Sequence, residues 1–295
     1  LVDTARREGL VCHLVPMVFI GDVQGYHSVP IDCRRGKPVL SILSPAKTLD
    51  YETAPTTKKS TQPLFIEQAT SLVANARKMD PEDIQALMGV SAKIAALNHA
   101  RFMNWDPAFT LSNAKQSVLA FKGDVYTGLD AESFSKQDLK FAQTHLRILS
   151  GLYGVLRPLD LIQAYRLEMG TRFENKRGKD LYEFWDTKIT DQINKDIKAS
   201  KSKALINLAS NEYFKSVHAR DINAEIIVPI FKDYSKGQYK IISFFAKKAR
   251  GLMSAYIIKN KLKDSEAIKA FNVDGYKFYK SESSETNWVF QRKQT

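Results

Sequence analysis

Cysteine is almost missing from this 295-residue chain: the only two are Cys12 and Cys33, both near the start. No disulfide framework rests on them, and a reducing compartment, the cytoplasm, is the natural setting. Histidine is scarce as well. After residue 38 only His99, His145 and His218 remain, far apart and without metal-ligand spacing. A tight transition-metal site is therefore not expected, and iron storage still less. No HExxH, Walker A, GxGxxG or GxSxG pattern occurs, so the zinc-peptidase, P-loop, dinucleotide and hydrolase motifs offer no starting point. Nothing calls for a cofactor. No run approaches the ~18 apolar residues of a membrane span. Leu10 to Ile20 imitates a signal-peptide core, but Pro16 interrupts it. There is no internal repeat.

What the chain does have is positive charge. Hydrophobic content of 44% and charged content of 26% are ordinary, but the net charge is +12. Such a balance favours an anionic partner: nucleic acid, an anionic surface or a phosphorylated small molecule. The excess is concentrated. Lys232 to Lys263 holds nine Lys/Arg against one acid, Asp233, a net +8.

Residues 1 to 38 read unlike the rest. They show no sustained period and hold both cysteines. The expectation is an extraneous or flexible extension, with one α/β domain from Val39 onward. Val39 to Leu43 predicts a buried strand, and Lys47 follows its end, a common place for a ligand-binding group. Helices are predicted over Leu64 to Met79, after Asp80-Pro81, after Ser91 and over Asn113 to Ala120. Ser135 and Asp138 form a capping box for another. Asp180 to Lys198 has helical spacing, and Ala204 to Leu208 reads as a buried strand. Ile226 to Tyr234 and Tyr239 to Phe245 predict a hairpin around Ser235-Lys236-Gly237, then a helix from Ala246 to Leu262. Residues 275–280 and 287–292 predict a closing hairpin. Interleaved strands and helices give a mixed sheet with surrounding helices.

One stretch stands out, FAQTHLRILSGLYGVLRPLDLIQAYRLEMG, Phe141 to Gly170. A helix-like run ends at Leu149, and a tight turn, Ser150 to Gly154, leads to a second apolar run. Gly151, Leu152 and Gly154 offer backbone N–H groups to an anion, with Arg147, Arg157 and Arg166 around them. The same residues also suit a helix cap followed by a core turn. Within this +8 segment, the helix after the hairpin opens with Lys247, Lys248 and Arg250, cations where the helix dipole disfavours them, which again suggests an anion.

Five stretches carry a resemblance: SPAKTLDY (Ser44 to Tyr51), LAFKGDVYTGL (Leu119 to Leu129), HLRILSGLYGVLRPLDLIQAYRLEMG (His145 to Gly170), NLASNEYFKSV (Asn207 to Val217) and FFAKKARGLM (Phe244 to Met253). Together they resemble the YaaA family, bacterial cytosolic proteins of the peroxide stress response. The resemblance implies the family's α/β fold with a positively charged cleft, and a helix-hairpin-helix-like element, placed here at Leu149 to Gly154. It also implies binding of double-stranded or structured DNA, with oxidative DNA damage limited and intracellular iron affected indirectly. Two hypotheses follow. In the first, Arg147, Gly151, Leu152, Gly154, Arg157, Arg166, Lys215, Lys247, Lys248 and Arg250 contact DNA. In the second, Lys47, Lys122, Asp124 and Glu212 belong to an enzyme site for nucleic acid or a phosphorylated small molecule. One enclosed pocket favours the enzyme; an open basic face favours the binder.

Overall fold

Val39–Leu43 carries no charge and is buried along its whole length, as a strand covered on both faces must be. The sheet grows outward from it. The computed structural model describes residues 38–293; residues 1–37, where the foreign stretch was expected, lie outside the described residues. In chain order the strands are β1 (Val39–Leu43), β2 (Thr48–Leu49), β3 (Lys115–Gln116), β4 (Phe121–Lys122), β5 (Leu146–Ser150), β6 (Gly154–Leu156), β7 (Leu161–Ile162), β8 (Ala204–Leu208), β9 (Glu225–Ser235), β10 (Gln238–Lys240), β11 (Lys277–Phe278) and β12 (Asn287–Arg292). The helices are α1 (Ile66–Ala76), α2 (Pro81–Met88), α3 (Ala92–Asn104), α4 (Ser117–Ala120), α5 (Asp124–Leu129), α6 (Lys136–His145), α7 (Leu181–Trp185), α8 (Lys188–Ser200), α9 (Asn211–Phe214) and α10 (Ser243–Lys259).

Eight strands form one mixed sheet, ordered β11-β12-β9-β8-β1-β5-β6 with β10 attached to β9. The inner five, β12-β9-β8-β1-β5, are parallel. The peripheral β6, β10 and β11 are antiparallel. β1 leads onward to β5 on one side, while β8, on its other side, leads away to β9. Adjacent parallel strands whose connections diverge leave a crevice at their carboxyl ends, the usual ligand position in open α/β sheets.

Helix starts with side-chain caps were legible. Asp80 and Asp83 form a reciprocal capping box on α2, Ser135 and Asp138 do the same on α6, and Ser91 caps α3. Four elements differ from expectation. The strand expected over Tyr239 to Phe245 is only β10, Gln238–Lys240, and Ser243 to Phe245 already belong to α10. α6 stops at His145, and the apolar run to Leu149 is strand β5, paired with β1 and β6. The glycine turn is therefore the tip of a β-hairpin, and no helix-hairpin-helix lies at 149–154. Asp180 to Lys198 is two helices, because Asp186 adopts φ 43° and ψ −125°, where a helix cannot continue. Residues 113–120 split between β3 and the single turn α4.

One packing contact positions the cleft. α5 and α10 approach backbone to backbone at Gly128 and Gly251. A Cβ on Gly128 would collide with the Lys248 carbonyl, and one on Gly251 with the Val125 carbonyl. Only glycine permits this approach, which sets the LAFKGDVYTGL stretch against FFAKKARGLM.

Candidate functional site

The loops leaving β1 and β8 are tied at the crevice. Ser210 N–H donates to Ser44 Oγ at 2.9 Å, and Tyr126 Oη donates to the Ser44 carbonyl at 3.0 Å. Around this junction lies a cavity of about 520 Å³ whose lining includes Lys47, Lys122, Asp124, Arg166, Glu168, Glu212, Lys247 and Arg250. Five separate pieces of the chain supply it: the β1 loop, the β4–α5 turn, the segment after β7, the β8–α9 segment and α10. A neighbouring groove of about 620 Å³ shares Lys47, Arg166, Glu168 and Glu212 and adds Arg172. The two share a wall.

Five cations, Lys47, Lys122, Arg166, Lys247 and Arg250, face three carboxylates, Asp124, Glu168 and Glu212. Some of this charge is answered internally. Glu168 takes Lys47 at 2.7 Å and Arg166 at 3.1 Å. Lys122 lies 3.6 Å from Asp50. Glu212 accepts the Gly170 N–H at 3.0 Å, so this carboxylate shapes the 168–171 turn. The rest is not answered. Arg250 is half-buried on α10 with no ion pair or hydrogen bond among the described residues, and burial pushes its guanidinium below its ordinary range. Arg166 Nε is buried without a partner. Lys247 and Asp124 likewise face the cavity with no partner among the described residues. Tyr165 and Tyr213 line the inner wall, and burial pushes both hydroxyls above their ordinary range, so they stay neutral.

The cleft thus gathers all four enzyme candidates, Lys47, Lys122, Asp124 and Glu212, with Arg166, Lys247 and Arg250 from the DNA-contact set. The others lie elsewhere. Arg147 is turned inward on β5: Nε donates to Asp196 at 2.7 Å, and Nη1 donates to the Gln143 and Leu146 carbonyls. Arg157 is held by Asp160 at 2.9 Å and donates to the Gln62 carbonyl. Gly151, Leu152 and Gly154 are buried. A Cβ on Gly151 would strike the Leu167 carbonyl, while Gly154, at φ 67°, abuts the Trp185 ring. Trp185 Nε1 donates to the Gly151 carbonyl at 2.9 Å. The turn packs against protein and presents no phosphate cradle. Lys248 leans 3.5 Å from Asp274, and Lys215 lies 4.7 Å over the Tyr182 ring; neither lines the cavity.

Sequence reasoning passed over Glu168 and Asp50, the acids that hold the cleft lysines. Both sat inside quoted motifs, in RLEMG and KTLDY, and a carboxylate next to motif cations was the available signal. Among the described residues no group of three or more His, Cys, Asp or Glu is placed to hold a metal ion. No described helix is long and apolar enough to cross a membrane.

A family model described as peroxide stress protein YaaA matches residues 39–282. A UPF0246 protein of Teredinibacter turnerae is 57% identical over 256 residues, covering 87% of this chain and 100% of that protein. One of Saccharophagus degradans has the same identity and coverage. One of Cellvibrio japonicus is 55% identical, with 99% of its length covered.

Proposed function

We propose a function for a chain that belongs to the YaaA family of peroxide stress proteins: it binds DNA by seating backbone phosphates in the carboxyl-end cleft. One observation carries this reading: the half-buried guanidinium of Arg250 has no anion among the described residues, and the Nε of Arg166, whose Nη2 pairs with Glu168, has no acceptor. A buried cation without an anion is unfavourable. A phosphodiester supplies both the charge and the acceptor oxygens that these groups lack. Lys47, Lys122 and Lys247 extend the positive wall, and the adjoining groove with Arg172 gives a chain of phosphates somewhere to continue. DNA held in this way is covered where oxidants would reach it. No part of this scheme requires the protein itself to hold iron.

A specific observation favours a second reading. Asp124 offers a carboxylate with no partner to a cavity lined by cations. The cavity's volume, about 520 Å³, falls within the roughly 300–1,000 Å³ usual for small ligands. That arrangement suits an enzyme acting on nucleic acid or a phosphorylated small molecule, with Asp124 as general base.

Anisotropy titrations of a labelled duplex across a salt series test the first reading, with Arg166→Ala/Arg250→Ala beside the wild type. Affinity should fall steeply with salt, and the double variant should bind about 10-fold or more weaker at any one salt concentration. Salt-independent binding, or a double variant that binds normally, would refute it. A nucleoside monophosphate that competes as well as duplex, and needs the same two arginines, moves the assignment to the second reading.

A further inference from the structure

Away from the cleft, the β9–β10 end of the sheet carries an aromatic surface with a basic rim. Residues in register across paired strands share a face, and alternate residues along a strand share it too. Tyr239 pairs with Tyr234, and Lys277 and Lys232 both pair with Gln291. Lys232, Tyr234, Tyr239, Lys277 and Lys293 therefore occupy one face, opposite the buried Phe231 and Asp233. Tyr234 and Tyr239 meet edge to face at 5.2 Å, and Tyr279 closes on Tyr239 at 6.3 Å. The cluster is open: Tyr234 is 39% exposed and Tyr279 40%. Lys293 stands 5.0 Å over the Tyr234 ring. Lys236 at the turn and Lys277 on β11 are exposed. Glu282, an acid beside this face, is engaged by Lys232 at 2.6 Å and by Gln291.

We propose that this tyrosine face is a stacking platform for single-stranded nucleic acid, independent of the phosphate cleft. Exposed rings on a sheet face bounded by lysines combine the two features that unpaired strands require, π-faces for bases and cations for phosphates. The composition argues against a protein partner, because protein interfaces are depleted in lysine. Duplex DNA keeps its bases stacked internally and has none to give to the rings.

The test uses the full chain and labelled oligo-dT and oligo-rU of about twelve nucleotides, within the usual ~4–16 nucleotide site size. Three variants are compared with wild type: Tyr234→Ala/Tyr239→Ala, Tyr234→Phe/Tyr239→Phe and Arg166→Ala/Arg250→Ala. The Ala pair should lower affinity for at least one oligonucleotide by roughly 10- to 100-fold, while its duplex affinity and thermal unfolding stay at wild-type values. The Phe pair keeps the rings and should retain oligonucleotide binding, whereas the arginine pair reads the cleft through its loss of duplex affinity, so failure of the platform and of the cleft are told apart. The sugar that binds more tightly identifies the strand. Unchanged affinity in the Ala pair overturns the proposal, and so does equal loss in the Ala and Phe pairs. Sedimentation showing a wild-type dimer that the Ala pair dissociates would assign the face to a second copy instead, and overturn it equally.

Discussion

Arg147 and Arg250 are the same side chain in opposite circumstances. Arg147 is enclosed with Asp196 at 2.7 Å and two carbonyls; Arg250 has burial without an anion. Removing one half of a buried pair leaves the other charge stranded. Arg147→Ala should therefore destabilise the fold by about 3–5 kcal/mol, read as a lower denaturation midpoint in urea. Arg250→Ala removes a cation that lacks a protein partner, so its midpoint should stay close to wild type while ligand affinity falls. The sequence contains both arginines in basic motifs and does not separate them. Asp196 is 49 residues from Arg147, and only the packing of α8 over β5 joins the two. Asp50 gives a second test at this scale. Hydrogen bonds from Thr53, then the nearby Lys115, hold its carboxyl well below the usual carboxylate range. A lowered folded pKa stabilises above the unfolded value, near 3.9, and that stabilisation is lost as pH falls toward the folded value. Acid unfolding of Asp50→Asn should lack this component: its stability should change less between about pH 5 and pH 2 than wild type does.

At the scale of elements, the α5–α10 contact does most to assemble the site. Gly128 and Gly251 let Lys122, at the end of β4, and Asp124, at the start of α5, face Lys247 and Arg250 on α10. Gly251→Ala should cost about 1–3 kcal/mol through overpacking, seen as a lower melting temperature, and should also weaken ligand binding because the two walls move apart. Elements with local instructions were legible. Asp80, Ser91 and Ser135 announce α2, α3 and α6 through caps that act within four residues. Elements decided by remote packing were not. Leu146 to Leu149 is apolar apart from Arg147 and shows no period, and the segment becomes a strand because β1 lies beside it. The glycine turn was misread for the same reason: Leu167 and Trp185, which fill the space around it, arrive from later in the chain.

For the whole molecule, the net charge of +12 acts through its distribution. If the five cleft cations each neutralise one phosphate, the slope of log affinity against log salt for a duplex should be about −4 to −5. Each single replacement by alanine should reduce its magnitude by about one. A slope near zero in wild type would mean that another feature binds. The mixed α/β architecture and the cleft's component loops were legible, because Lys47 and Glu212 sit where strands end. Their convergence was not, since it depends on sheet order: β8 beside β1 brings two loops together that are far apart in sequence.

That same order has a consequence for synthesis. Strands β1 and β5 and helix α5 are made early, but α10, the opposite wall, begins at Ser243, and β12, which lies between β9 and β11, is among the last segments made. Such long-range pairings close late on the ribosome. A chain interrupted before residue 243 lacks Lys247, Arg250 and the glycine contact that orients Asp124. The cleft as described is therefore complete only once α10 has been made.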